Sequence, residues 1–154
     1  MSPTLEGLHL AIGHLLWLTE QPDLAVVELQ KELRLNPAHA EACGEIGTIL
    51  VSQHEAEKAI PYLERAVHLK PDLLNAYQQL GKAFYLRNDY NRAERELKKV
   101  LTVDPEGNAH YLLGMVYRDA GRTAEAHAML QESRRIKAER FAEVRMVTVP
   151  EAKP

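Results

Sequence analysis

The 154-residue sequence has few of the features that build reactive or membrane-embedded sites. Its single cysteine, Cys43, excludes an intramolecular disulfide and a zinc site made from several cysteines. The longest apolar run, residues 8–18, is about half as long as a transmembrane helix. No basic stretch precedes this run and no small-residue cleavage site follows it, so we expect no signal peptide. We therefore expect a soluble protein, cytoplasmic rather than secreted, which could be a fragment of a larger one.

Charge of one sign is not in large excess either. The chain has 19 Lys and Arg against 22 Asp and Glu, a net charge of −3, which does not favour nucleic acid or an anionic membrane as the main partner. Residues 1–73 carry 5 basic and 11 acidic side chains, whereas residues 74–154 carry 14 and 11. This gradient could orient a partner or let two copies meet head to tail, although solvated helix faces are the simpler explanation.

Motifs for catalysis and for cofactor binding are missing. There is no Gly-rich phosphate loop, no Gly-x-Ser-x-Gly turn and no paired-cysteine motif. His54-Glu55 resembles the start of a metalloprotease motif, but Lys58 stands where the second histidine is needed. His9 and His14 are five residues apart, which places them on different faces of a helix. We expect no enzymatic activity, no cofactor and no metal.

Three sets of landmark residues recur with one period of 33 or 34 residues. They are the glycines Gly13, Gly47, Gly81 and Gly114, the prolines Pro37, Pro71 and Pro105, and the alanines Ala25, Ala59, Ala93 and Ala126. Apolar residues at helical spacing, separated by turn residues, predict two helices in each period, with Asp72 as one candidate cap. The predicted helices are 5–18, 22–35, 38–51, 55–69, 72–86, 89–103, 106–119 and 123–143.

This pattern resembles that of the tetratricopeptide repeat family. The third repeat carries the family's residues at positions 4, 7, 8, 11, 20, 24, 27 and 32, namely Tyr77, Leu80, Gly81, Phe84, Ala93, Leu97, Val100 and Pro105. The resemblance implies an all-α fold, a right-handed α-solenoid of four helix-turn-helix repeats. We assign repeats one to four to residues 6–39, 40–73, 74–106 and 107–140, within one domain of residues 1–145 and a tail of residues 146–154.

The first and last repeats depart most from the family pattern. Position 27 is Glu32 in repeat one and Ser133 in repeat four, where the family has Ala. Terminal repeats lack a neighbour on one side, so weaker patterns are expected there. Small residues at positions 8 and 20 let the two helices of a repeat approach closely, so Gly81→Leu should overfill a helix pair, at a cost of about 1–3 kcal/mol or more.

Function in this family lies in the concave groove, which the resemblance places along positions 2, 5, 9 and 12 of each first helix. We call these positions the groove stripe. Here they include aromatic, Met and Arg residues typical of interfaces, and amides suited to bonding a peptide backbone. The predicted partner-binding residues are Leu10, His14, Trp17, Val51, Asn75, Gln78, Lys82, Tyr85, Asn108, Tyr111, Met115 and Arg118. The alternative for Trp17 and Leu10 is packing against the chain's own N-terminus.

Some relatives use the groove to hold the C-terminal carboxylate of a chaperone with Lys, Asn and Arg side chains. Read from repeat one, the corresponding positions hold Leu10, His14, Glu45, Asn75 and Gln79. They supply no lysine or arginine, and Glu45 would repel a carboxylate. We therefore expect a different partner.

We predict a non-catalytic scaffold that binds a protein or peptide segment in the concave groove. The alternative is a structural segment that forms a homo-oligomer through its ends. The helix of repeat four is expected to continue through Phe141 and Val144, and no polar capping helix follows it. Residues 141–154 either fold back as a cap or leave an apolar end exposed, which is a candidate contact surface.

Overall fold

The computed structural model describes the backbone of residues 7–148 and the side chains of residues 7–145. Within this range the chain forms eight α-helices and one 3-10 turn, with no β-strand. The all-α prediction is therefore confirmed. The helices are α1 (Leu8–Leu18), α2 (Pro22–Leu35), α3 (Ala40–Ser52), α4 (Ala56–Leu69), α5 (Leu74–Leu86), α6 (Tyr90–Lys98), α7 (Asn108–Asp119) and α8 (Thr123–Thr148).

Most helix boundaries lie within two residues of the predicted ones. Helix α1 begins at Leu8, three residues after its predicted start, and three further predictions differ from the structure. The sixth helix ends at Lys98 and is followed by the 3-10 turn Leu101–Val103, rather than running to residue 103. Asp72 does not cap α5, because the N-cap residue is Leu73 and it makes no side-chain capping bond. The last helix continues through Phe141 and Val144, as predicted, but it ends at Thr148 rather than at residue 143, and residues 149–154 lie outside the described range.

The chain divides into two compact units, Met1–Glu96 and Leu97–Pro154. In the first unit α1 packs on α2 and α3 packs on α4, which are the helix pairs of repeats one and two. Helix α3 also packs against α2 and α5, and α5 packs on α4. In the second unit α7 packs on α8, the pair of repeat four. That residues 1–145 form one domain stays a prediction.

The repeating glycines lie where two helices of a repeat touch. A Cβ atom built on Gly13 would lie 2.7 Å from Leu29 Cγ, and one on Gly114 would lie 2.7 Å from Leu130 Cγ. Real Cβ atoms do not approach other carbons so closely, so only glycine fits without a shift of the facing leucine. This agrees with the close approach predicted for position 8.

Cys43 lies in the interior of the first unit with no exposed surface. Burial raises the pKa of its thiol, an effect that the charge of Arg65 opposes. The group therefore stays protonated at neutral pH and behaves as a small apolar residue.

The polar residues at position 27 of the terminal repeats are buried and bonded. Glu32 has no exposed surface, and its Oε1 accepts a hydrogen bond from the backbone N–H of Gly7 at 2.9 Å. Ser133 is 2% exposed, and its Oγ donates to the carbonyl of Gly107 at 2.7 Å. Both glycines precede a first helix in the left-handed conformation, with φ of 81° and 65°. These departures from the family pattern therefore hold the start of α1 to α2 and the start of α7 to α8.

Candidate functional site

The groove stripe is supplied by α1, α3 and α5 in the first unit and by α7 in the second. Its predicted contact residues differ in exposure. The exposed ones are His14, Asn75, Lys82, Asn108, Tyr111 and Arg118, the half-buried ones are Leu10, Trp17, Gln78, Tyr85 and Met115, and Val51 is buried.

The prediction that Val51 contributes to a contact surface does not agree with its burial, since only 1% of it is exposed. Gly44, one of the other stripe positions on α3, is buried as well. A Cβ atom on Gly44 would lie 3.2 Å from Cδ2 of Leu73, the residue just before α5. Helix α5 packs along this side of α3, so Val51 belongs to the contact between repeats two and three.

The aromatic residues of the stripe in the first unit are partly accessible. Tyr85, near the end of α5, packs its ring against that of Tyr90 at the start of α6, with centroids 6.3 Å apart and a tilted geometry. Trp17 is the residue before the last one of α1 and is half-buried. The alternative that Trp17 packs against the chain's own N-terminus concerns residues 1–6, which lie outside the described range.

A histidine–carboxylate contact joins the first helices of repeats one and two. His14 Nδ1 lies 3.2 Å from Glu45 Oε1, so the predicted stripe residue of α1 is bonded to α3. Burial raises the pKa of the Glu45 carboxyl, and the charge of His14 and its hydrogen bond oppose this shift. From the sequence alone, Glu45 was expected only to repel a carboxylate. Its structural role was missed because position 6 lies outside the stripe.

A second polar contact involves Glu41, the first stripe residue of α3. Lys70 Nζ donates to Glu41 Oε1 at 2.7 Å, and His39 Nδ1 lies 3.3 Å from Glu41 Oε2. The hydrogen bond from Lys70 lowers the pKa of Glu41, and the same bond raises the pKa of Lys70. The contact ties α3 to the end of α4, which limits what Glu41 can offer a partner.

In the second unit the stripe lies on α7 and is more open. Tyr111 is 49% exposed, and Lys137 Nζ of α8 lies 5.3 Å from the centroid of its ring. This distance is typical of a cation–π contact, which keeps the ring in place while leaving much of it accessible. Asn108 and Arg118 are exposed, and Met115 is half-buried between them. The surface of α7 thus combines an aromatic ring with amide and guanidinium donors.

Two kinds of feature are absent from residues 7–148. No group of three or more His, Cys, Asp or Glu side chains in this range is arranged to hold a metal ion. No helix in this range is long and apolar enough to cross a membrane.

Two family profiles match the chain. A profile described as tetratricopeptide repeat matches residues 10–73. A profile described as anaphase-promoting complex, cyclosome, subunit 3 matches residues 52–133, which is more than half of the chain. Both profiles overlap the repeats assigned from the sequence.

Individual relatives are similar over part of their own length. Tetratricopeptide repeat protein 21B of Mus musculus is 29% identical over 94% of this chain, which spans only 12% of that protein. The UDP-N-acetylglucosamine–peptide N-acetylglucosaminyltransferase of Giardia intestinalis is 30% identical over 61% of this chain and 6% of its own length. A crystal structure of MamA matches 92% of this chain and 83% of its own, with a TM-score of 0.81 and 22% identity, a likeness that shows the fold alone.

Proposed function

Because the chain belongs to the tetratricopeptide repeat family, whose members generally act as protein–protein interaction scaffolds, we propose that it is a non-catalytic scaffold that binds a segment of a partner protein along its groove stripe. One observation carries the proposal. Stripe residues of α1, α5 and α7 remain accessible, although aromatic, amide and basic side chains are not needed by the buried core of the repeats. Such residues at accessible positions are enriched where proteins bind each other.

The side chains of α5 suggest how an extended segment is held in the first unit. Asn75 and Gln78 carry amides that can both donate to and accept from a peptide backbone. Lys82, one turn further along the helix, adds a positive charge. Trp17 on α1 and Tyr85 on α5 offer partly exposed ring faces for apolar side chains of the partner. Extended backbone and one or two apolar anchors are therefore the expected features of the ligand.

Two classes of ligand fit poorly. The C-terminal carboxylate of a chaperone would approach the Glu45 carboxylate, and its charge would be unfavourable beside that group. A substrate for chemistry would need an activated nucleophile. The histidine–carboxylate contact at the stripe, His14 with Glu45, joins α1 to α3, and it is not bonded to a serine, threonine or cysteine in the described structure. The relative named as a transferase shares only a small part of its length with this chain, so its activity is not carried over.

The experiment is a crosslinking pull-down from the source lysate, comparing the native chain with Trp17→Glu/Tyr85→Glu and with Lys82→Glu. The double variant places charges where apolar anchors are proposed, and Lys82→Glu reverses one exposed charge without touching the core. We expect both variants to lose a partner that the native chain captures. Circular dichroism should show unchanged helicity and melting for Lys82→Glu.

The matched control is Leu24→Glu, which adds a charge at a 53% exposed apolar residue on α2, a helix that supplies no stripe residue. It should capture the partner as well as the native chain. Equal capture by the native chain and both stripe variants would overturn groove binding. A loss of melting cooperativity in Trp17→Glu/Tyr85→Glu would instead show that these two residues belong to the core. Capture of the partner by Lys82→Glu would then decide whether the partner binds in the groove.

Self-association through the ends is a second candidate function, and the described structure contains an observation that favours it. Large apolar residues are exposed on both terminal repeats, including Leu15 at 61% and Leu18 at 64% in repeat one, and Phe141 at 71% in α8. Exposed apolar residues that share a face are typical of contact surfaces.

A further inference from the structure

Repeat two shows how a first helix contacts its neighbours on two opposite sides. On one side, Gly44 and Val51 of α3 are covered by the segment that leads into α5 and by α5 itself. Ala42 and Ile49 each lie two residues earlier, which is 200° around a helix and therefore on the other side. They are 0% and 1% exposed, and α3 also packs against α1 and α2 of repeat one, so we assign this buried side to that contact. We call these sides the trailing face (positions 5 and 12) and the leading face (positions 3 and 10).

Repeat three has the same leading face. Its positions 3 and 10 are Ala76 and Ala83 of α5, which are 1% and 0% exposed. Helix α5 packs against α3 and α4 of repeat two. In both repeats, therefore, the leading face is apolar and closed by the repeat before it.

In repeat one the leading face is apolar but open. Positions 3 and 10 are Leu8 and Leu15 of α1, which are 44% and 61% exposed. Leu18 continues this face at 64% exposure. These side chains are larger than the alanines of repeat three. The leucine pair of repeat one is therefore exposed at positions that repeats two and three bury.

In repeat four it is the trailing face that is open. Position 5 is Tyr111, 49% exposed, whereas the same position of repeat two is the buried Gly44. Lys137, Phe141 and Val144 of α8 follow one another at i, i+4 and i+7, so they share one helix face. Lys137 lies over the Tyr111 ring, which places that face of α8 on the side of Tyr111. Phe141 and Val144 are 71% and 55% exposed.

The two parts of the chain that carry the open faces differ in net charge. Residues 1–73, which include repeat one, carry 5 basic and 11 acidic side chains. In α8, residues 134–145 carry five basic and two acidic side chains, and every residue from 137 to 145 is exposed. The open leading face lies in an acidic part of the chain, and the open trailing face lies beside a basic helix. The two faces are therefore complementary in charge, and a leading face is also the surface that a trailing face contacts between neighbouring repeats.

We propose that the open leading face of repeat one binds the open trailing face of repeat four on a second copy of this chain. The contact reuses the packing that joins repeat two to its neighbours, with Leu8, Leu15 and Leu18 against Tyr111, Phe141 and Val144. Because the two faces differ, the association is head to tail, and each copy keeps one face for a further copy. This deepens the second candidate function and does not depend on groove binding.

The test uses two single variants of the whole chain and their mixture. Leu15→Glu places a charge in the leading face, and Phe141→Glu places one in the trailing face. Both residues are more than 60% exposed, so neither change disturbs a core. Sedimentation velocity from low to high micromolar concentration should show native dimers and larger species, and each variant alone should stay at the 17.4 kDa monomer mass. The mixture should regain one contact and give a 1:1 complex of twice that mass, because each variant supplies the face that the other lacks.

Each other result overturns the proposal. A native chain that stays monomeric shows that no second copy binds there. If Phe141→Glu still associates and Leu15→Glu does not, the contact is symmetric and joins two leading faces. If Leu15→Glu still associates and Phe141→Glu does not, the contact joins two trailing faces. A mixture that stays monomeric excludes head-to-tail complementarity. Val103→Glu, a charge at a 59% exposed residue on neither face, is the control and should keep the native mass. Leu15→Glu should also still capture a groove partner, which separates this test from that of the groove.

Discussion

The carboxylate of Glu32 accepts the backbone N–H of Gly7 at 2.9 Å from a side chain that has no exposed surface. Its Oε2 atom is buried as well and has no hydrogen-bond partner in the described structure. A histidine lies near the bonded oxygen, since Nε2 of His39 is 3.9 Å from Oε1. A buried acceptor is stabilising when it is bonded and costly when it is not, so the two oxygens of Glu32 act in opposite directions.

Glu32→Gln keeps an acceptor for Gly7 and removes the unbonded charge, so we expect a free energy of unfolding equal to or above that of the native chain. Glu32→Ala leaves the Gly7 N–H without its partner and opens a gap, so it should lower the free energy of unfolding by about 1–3 kcal/mol. Urea denaturation measures both. If Glu32→Ala were as stable as the native chain, the hydrogen bond to Gly7 would contribute nothing.

Gly47 should tolerate no larger residue while Leu63 is present. A Cβ atom on Gly47 would lie 2.6 Å from Leu63 Cδ2, so Gly47→Ala forces the leucine aside and should cost about 1–3 kcal/mol. The double variant Gly47→Ala/Leu63→Ala relieves the clash, and its loss should be smaller than the sum of the two single losses. Thermal melting of the three variants gives the comparison. Strict additivity would mean that the two residues do not press on each other.

Asp104 should make the stability of α7 depend on pH. Its carboxylate accepts the backbone N–H groups of Asn108 and His110, each at 2.9 Å, and lies 2.8 Å from His110 Nδ1. Burial opposes ionisation, but these bonds prevail and hold the pKa of Asp104 below its usual range. A lowered carboxyl pKa stabilises the fold above the unfolded-state pKa, and this stability is lost as pH falls through the folded-state pKa.

Asp104→Asn should therefore lower the free energy of unfolding at pH 7 by about 1–2 kcal/mol, since the amide cannot accept all three bonds through charged oxygens. The difference in the free energy of unfolding should begin to shrink as pH falls below the unfolded-state pKa of about 3.9, and it should close once pH has fallen through the lower folded-state pKa. Denaturation across this pH range measures it. Asp72→Asn is the matched control, because Asp72 is exposed and does not cap α5. If the difference in the free energy of unfolding between Asp104→Asn and the native chain persisted unchanged in acid, the charge of Asp104 would not be what stabilises the start of α7.

The repeat period predicted the helices well because each period carries its own local signals. Gly13 and Gly47 lie at contacts between helices, and Pro22 begins α2. What the period could not predict is how a position differs between repeats. Val51 occupies a stripe position yet is buried, because burial there depends on the helix of the next repeat. Glu32 departs from the family pattern, but only the structure shows the backbone group that it bonds.

The sequence predicted which helices carry the candidate site, but it did not predict which other residues the site's side chains bond. Exposure of Asn75 and Lys82 follows from their place on the outer side of α5. The bond between His14 and Glu45 joins two repeats and leaves no trace in a single-repeat pattern. The open leading face did have a signal, since Leu8 and Leu15 stand where repeat three has Ala76 and Ala83. Comparing equivalent positions across the repeats would have found it.

Glu45 should reduce stability at neutral pH. Burial raises the pKa of its carboxyl, with the charge and hydrogen bond of His14 and the charge of His39 acting in the opposite direction. A raised carboxyl pKa stabilises the fold only below the unfolded-state pKa, and this contribution is lost as pH rises through the folded-state pKa.

Glu45→Gln removes the charge, so its melting temperature at pH 7 should exceed that of the native chain, and the two melting temperatures should converge in acid. His14→Ala should lower the melting temperature of the native chain at pH 7, because it leaves the Glu45 charge unpaired. The same change in the Glu45→Gln background should have much less effect. A Glu45→Gln chain that melts below the native chain at pH 7 would instead show that the bond with His14 outweighs the cost of burying the carboxylate.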